Sequence, residues 1–255
     1  MWALNFWKSQ VGKKIVMAVT GLIGVGFIVG HMLGNLQMFQ GPDKMNGYAA
    51  FLHSLGGLLW LARAVLLGAV VLHVVAAVQL TRQKQKARPG QQGYKKWEPQ
   101  VSTFASRSIR WGGAYLLLWL VFHVLHFTAR AIFPGYSETD VYGNVVKGFS
   151  NPIVVAGYVL AMFWLALHLY HGAWSSIRTL GLSRPSGRPT HRTIATAVAA
   201  VVALGFVVVP LAVLFRLVKP NANSERLGTP QAEQLRQQAR EVPAQSAPAA
   251  VTAGR

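Results

Sequence analysis

Five apolar runs, Ile15–Phe39, Leu58–Leu80, Trp111–Phe133, Pro152–Ile177 and Ile194–Leu217, dominate the sequence. Each is long enough to cross about 30 Å of hydrocarbon as a helix rising 1.5 Å per residue. Backbone polar groups cannot be left bare in lipid, and a helix satisfies all of them within one segment. The fold class expected is therefore all-α, an integral membrane bundle of five transmembrane helices. Spans and loops use up residues 1–219, so no second folded domain is expected. Residues 220–255 are rich in Pro, Ala, Gln and Ser with no sustained apolar face. They read as a disordered tail, helical at most around Gln231–Arg240. The first run follows Lys13 and Lys14 but continues for about 25 residues without a small-residue cleavage site, so it reads as a retained helix rather than a signal peptide.

Charge orients the bundle. The net charge is +18, yet the basic residues flank apolar runs instead of forming a stripe with interleaved aromatics. A nucleic-acid partner is therefore excluded in favour of a membrane. The N-terminus with Lys8, Lys13 and Lys14, the segment Arg82–Arg110, and the loop holding Arg178, Arg184, Arg188 and Arg192 all fall on one side if there are five crossings. Together they carry fifteen Lys and Arg residues against one acid, Glu98. By the positive-inside rule this side is cytoplasmic, which puts the N-terminus inside and the C-terminus outside. The outer side carries Asp43, Lys44, Glu138, Asp140, Lys147 and the tail, hence six of the seven acids. The membrane expected is a bacterial-type inner membrane.

Cysteine is absent, which excludes iron–sulfur ligation, covalent haem attachment and thiolate zinc sites on this chain. No glycine-rich phosphate loop and no Ser/His/Asp set in a soluble context occurs, so substrate chemistry is expected in another subunit. Six of the eight histidines, however, lie inside four of the five spans: His31, His73, His123, His126, His168 and His171. Any one of them alone would read as a satisfied core side chain. Ionisable groups within spans are costly and mark function, and six together call for a common cause.

Depth sorts them. Rising from the inner surface, His31 stands about 24 Å up and His123 about 18 Å, both in the outer half. His73 and His168 stand roughly 10 to 14 Å above the inner surface. Two imidazoles from facing helices are what a low-spin b-type haem iron requires, and the macrocycle fits an apolar gap within a four-helix bundle. Structural zinc sites need four ligands and favour cysteine, whereas these histidines separate into twos. His126 and His171 each follow another histidine by three positions on one helix face, and height leaves the choice between His123 and His126 open. Gly21, Gly24, Gly26, Gly30 and Gly34 line the first span. They would admit either a neighbouring helix or a flat ring.

At these residues the chain resembles the di-haem cytochrome b membrane anchor of the succinate:quinone oxidoreductases, the succinate dehydrogenase and fumarate reductase family. The resemblance runs over about residues 8–217. It is carried by Gly-Lys-Lys at 12–14, Gly30-His31-Met32-Leu33-Gly34-Asn35-Leu36-Gln37, Leu72-His73, Phe122-His123-Val124 and His168-Leu169-Tyr170-His171-Gly172-Ala173-Trp174-Ser175. It implies two haem b groups, with His31 and His123 as axial ligands of the outer iron and His73 and His168 of the inner. His126 and His171 then become neighbours of the ligands or of the propionates. Arg107, Arg110, Trp111 and Arg178 sit at the inner boundary, where propionates find partners. The resemblance also implies an iron–sulfur subunit and a flavoprotein subunit on the cytoplasmic face. Electrons would pass from them through both haems to quinone, menaquinone being the one expected here. No Asp or Glu lies in any span, so the quinone site and proton path are not read from the sequence. The rival readings are a di-haem anchor of a hydrogenase or formate dehydrogenase, and a haem-free proton-coupled transporter. The latter lacks the charged substrate groups and paired broken helices of such folds.

Overall fold

The computed structural model describes residues 2–87, 103–182 and 190–218. Among them there is no strand, and five helices are long and apolar enough to cross a membrane. The elements are α1 (Trp2–Lys8), α2 (Gln10–Leu36), α3 (Pro42–Ser54), α4 (Gly57–Lys86), α5 (Phe104–His123), α6 (Val141–Phe149), α7 (Pro152–Thr179) and α8 (Thr190–Leu214). The crossing helices are α2, α4, α5, α7 and α8. The tail, together with Arg88, Lys95, Lys96, Glu98, Arg184 and Arg188, lies outside the described residues.

Most helices overrun the apolar stretches because a helix goes on satisfying its own backbone after it leaves hydrocarbon. Lys13 and Lys14 thus fall inside α2, and Arg82, Lys84 and Lys86 inside α4. The largest departure from the expected limits is in the third span, which begins seven residues before Trp111. Thr103 caps it, its side chain accepting from Ser106 N at 3.2 Å. At the other end it leaves α-helical form after His123, continues through a π turn over Val124–Thr128, and stops near Arg130, whose φ of 54° is left-handed. Arg107 and Arg110 therefore sit inside the helix rather than before it. The fifth helix likewise starts at Thr190 and ends at Leu214, three residues short of the expected Leu217.

Contacts fix the arrangement. Helix α2 packs against α4, α7 and α8, while α5 packs along α7, and no comparable contact joins α4 to α5 among the described residues. Helix α8 covers the far side of α2 and α7, burying Ala199 and Val202 with Met32, Ala161, Met162, Leu165 and Leu169. Four helices thus surround a groove whose α4 and α5 walls bury little: Ala69 and Ala76 on one, Ala105 and Gly112 on the other. Close approach of α5 to α7 depends on Gly112, where an added Cβ would lie 2.7 Å from the Trp164 ring. A Gly112→Val substitution is expected to destabilise the bundle by about 1–3 kcal/mol, the usual cost of overpacking. The check is the thermal midpoint of the detergent-solubilised protein, which should fall.

The end of the bundle away from the basic residues is covered by a lid made of α3, α6 and residues 129–140. Asp140 caps α6 by accepting from Gly143 N at 2.9 Å, and also accepts from Asn46 Nδ2 at 3.0 Å. Asn46 Oδ1 in turn accepts from Tyr142 N at 2.9 Å, tying α3 to α6. Beneath lies a cluster of Met38, Met45, Tyr142, Val145, Val146 and Phe149 packed on Val155, Tyr158, Val209 and Val213.

Candidate functional site

The groove brings the span histidines together in two pairs. His31 on α2 faces His123 on α5 with ring centres 5.9 Å apart, and His73 on α4 faces His168 on α7 at 6.1 Å. Each pair joins helices that do not pack closely on one another, so the imidazoles meet across the groove.

Three helices measure the separation of the pairs. On α2, Thr20 touches His73 and His31 follows eleven residues later, about 16 Å along the axis. On α5, Gly113 lies under the His168 ring and His123 follows after ten residues, about 15 Å. On α7, Tyr158 touches His123 and His168 follows after ten, again about 15 Å. The two pairs are layers, one nearer the basic end and one under the lid.

The hydrogen bonds say which nitrogens are free. Thr20 Oγ1 gives its proton to Val16 O at 2.7 Å, so towards His73 Nδ1, at 3.2 Å, it must accept. His73 then carries its proton on Nδ1, and the Nε2 lone pair is bare. His168 Nδ1 is buried with no protein partner. Two imidazoles that bind one metal from opposite sides, each nitrogen about 2 Å from it, hold their ring centres about 6 Å apart. Both pairs have that spacing. Among the described residues no group of three or more His, Asp or Glu could hold a bare metal ion. The donor set therefore fits a metal that arrives with its own equatorial ligands, as haem iron does. Gly21 also allows this approach, since a Cβ there would come within 3.3 Å of the His73 ring.

His126 is occupied otherwise. It is fully buried, its Nδ1 3.0 Å from Tyr158 Oη and its Nε2 2.8 Å from Tyr136 Oη. Tyr158 Oη also lies 3.2 Å from His123 Nδ1, which leaves His123 Nε2 for the side facing His31. His123 and His126 meet on the same Tyr158 hydroxyl, as side chains on one helix face do. The π turn over Val124–Thr128 begins just after His123, and His126 reaches on to Tyr136 in the lid. Burial pushes the Tyr136 hydroxyl up to about 12, so it stays protonated at any working pH. Stripping His126 of either partner would leave a buried polar atom unsatisfied, at about 1–3 kcal/mol.

A model of the succinate dehydrogenase/fumarate reductase transmembrane subunit family matches residues 84–217, more than half of the chain. The chain belongs to this family. Comparison with curated proteins and with solved structures returned no match. The matched stretch holds one histidine of each pair, His123 and His168, while their partners His31 and His73 precede it.

The transmembrane subunit places its remaining expected residues at the basic end. Arg110 and Arg107 stand about one and two turns below Gly113 on α5, and both are exposed. Trp111 is 78% exposed. His171 is partly buried one turn below His168. Arg178 and Arg192 stack over Trp174, with guanidinium carbons 5.0 and 4.7 Å from its ring centre. Sequence reasoning misses Thr20, Tyr136, Tyr158 and Gly148. It also misses Arg63, an arginine in α4 stacked 4.8 Å over Trp60, an aromatic–cation pair suited to a membrane interface. One signal for Tyr158 is present: it precedes His168 on α7 by the same ten residues that separate the two layers.

Proposed function

We propose that this transmembrane subunit is the di-haem cytochrome b anchor of a succinate dehydrogenase. His31 and His123 would be the axial ligands of one b-type haem and His73 and His168 those of the other. The observation that carries this reading is the two imidazole pairs, each with ring centres about 6 Å apart, in layers about 15 Å apart along the helices. Bound haem supplies a one-electron carrier in each layer, hence a route along the bundle axis. The chain's own residues bind and orient: Thr20 and Tyr158 hold the Nδ1 atoms of two ligands, and α8 shields α2 and α7 from the far side. His171, Arg107, Arg110, Trp111 and Arg178 are the candidates for propionate contact at the basic end.

The basic end is the cytoplasmic one, by the charge asymmetry of its loops. It docks an iron–sulfur subunit, which in turn carries a flavoprotein, through complementary charge. Quinone, with menaquinone the favoured type, is reduced at the lidded end. Residues 1–219 form the membrane unit and 220–255 are dispensable for haem binding. The test is pyridine haemochrome quantitation of the purified complex, with two non-covalent haems per chain expected. One haem or none in well-folded protein would defeat the reading, and co-purification with hydrogenase subunits would replace the partners.

A further inference from the structure

His73 Nδ1 stands beside the Thr20 hydroxyl, and His168 Nδ1 meets no protein group. His123 differs. Its Nδ1 leads into a chain of side chains that ends in the lid: Tyr158 Oη at 3.2 Å, His126 Nδ1 3.0 Å beyond it, and Tyr136 Oη 2.8 Å from His126 Nε2. Axial ligation uses neither His126 nor Tyr136. A fully buried histidine with a tyrosine hydroxyl on each nitrogen needs a reason.

The direction of the protons follows from one condition. For His123 to present a bare Nε2 towards His31, its proton must sit on Nδ1 and be donated to Tyr158 Oη. Tyr158 then spends its own proton on His126 Nδ1. His126, neutral, carries its proton on Nε2 and donates it to Tyr136 Oη. In this arrangement the protons of His123, Tyr158 and His126 each find an acceptor. A second observation bears on the far end of the chain. Helix α6 lies over the His126–Tyr136 bond at Gly148, where a Cβ would fall 2.7 Å from Tyr136 Oη and 2.9 Å from His126 Nε2. The lid is therefore seated on this bond, and a glycine leaves the room for it.

We infer that Tyr158 is the positioning residue of His123, and that the chain through His126 to Tyr136 lets the lid fix the tautomer and donor strength of one ligand of the lidded pair. This rests on the di-haem reading. An acceptor for the outer N–H of a metal-bound imidazole raises its basicity and favours the oxidised metal. Loss of the acceptor should favour the reduced one. The basic-end pair has its own acceptor at His73, Thr20, and shares no member of the chain, so the effect is confined to one layer.

The experiment uses the whole complex with Tyr158→Phe and Tyr136→Phe, reading haem content, the two haem midpoint potentials and the low-spin EPR signals. Tyr158→Phe is expected to keep two haems and raise the potential of the lidded-end haem. A tenfold rise in its reduced-to-oxidised ratio corresponds to 59 mV. The basic-end haem should be unmoved, and Tyr136→Phe should give a smaller shift in the same direction. A role in packing alone would lower stability without this selective shift. Two retained haems with both potentials unchanged in Tyr158→Phe would overturn the inference and leave the di-haem reading standing. If Tyr158→Phe loses the haem, Tyr136→Phe decides: a shift confined to the lidded-end haem supports the inference, and no shift overturns it. Fewer than two haems in the unsubstituted complex would overturn the di-haem reading and the inference with it.

Discussion

On the di-haem reading, replacing His73 or His168 by alanine is expected to remove the haem of the basic-end layer and leave the other, so that haem content falls from two per chain to one. Replacing His31 or His123 gives the mirror result. The expectation follows from the layers. The pairs stand about 15 Å apart along three separate helices, so neither pair can lend a ligand to the other. Nor can the neighbouring histidines step in. His126 has both nitrogens engaged by tyrosine hydroxyls. His171 lies a turn closer to the basic end than His168. His126→Ala should accordingly retain both haems, at a stability cost of about 1–3 kcal/mol for the two hydroxyls left without their partner. Haemochrome assays on purified variants, with EPR to tell the two low-spin signals apart, measure all five proteins. Retention of two haems in His123→Ala with loss in His126→Ala would reverse the assignment on α5.

Much of this arrangement is legible in the order of residues along the chain. Five apolar runs and the sorting of charge specify a five-helix bundle. Axial rise along alternating helices sorts the span histidines into an outer and an inner layer, but leaves open whether His123 or His126 meets His31. What one dimension does not supply is the winding of α5 and the existence of the lid. The early start at Phe104 is hidden because Arg107 and Arg110 read as the edge of a span, whereas long cationic side chains can leave a helix sideways and reach water. The π turn after His123 has no signature in Val124–Thr128. Helix α6 is nine residues long, too short to register as a span. Tyr142, Val145, Val146 and Phe149 form the stripe that packs it down, but four apolar residues in so short a segment do not announce a helix. Thr20 carries no signal of its own, because a hydroxyl in an apolar run is ordinary until a ring nitrogen stands beside it, and Tyr158 carries only its ten-residue spacing from His168.

On the di-haem reading, the same geometry makes the rate of the complex sensitive to the membrane potential. Electrons would enter at the basic end, where an iron–sulfur subunit would dock on the cytoplasmic side, and would be consumed at the lidded end. Each elementary charge that crosses the whole membrane exchanges about 2.3 kcal/mol per 100 mV with the field. The step between layers covers about 15 Å of a hydrocarbon core about 30 Å thick, so roughly half of that exchange falls on it. With the outside positive, electrons move towards the positive face, and the potential drives succinate oxidation by a low-potential quinone. If quinone instead reacted beside the basic-end pair, the electron would stop before crossing and the potential would have little hold on the reaction. A second layer of ligands would then serve only to brace the bundle. The two cases separate in sealed vesicles or cells respiring on succinate. Adding an uncoupler should lower succinate:quinone activity several-fold while leaving succinate oxidation by an artificial acceptor at the flavoprotein unchanged. Quinone activity that is unchanged or faster after uncoupling would place quinone reduction at the basic end and deprive the lidded pair of a role in turnover.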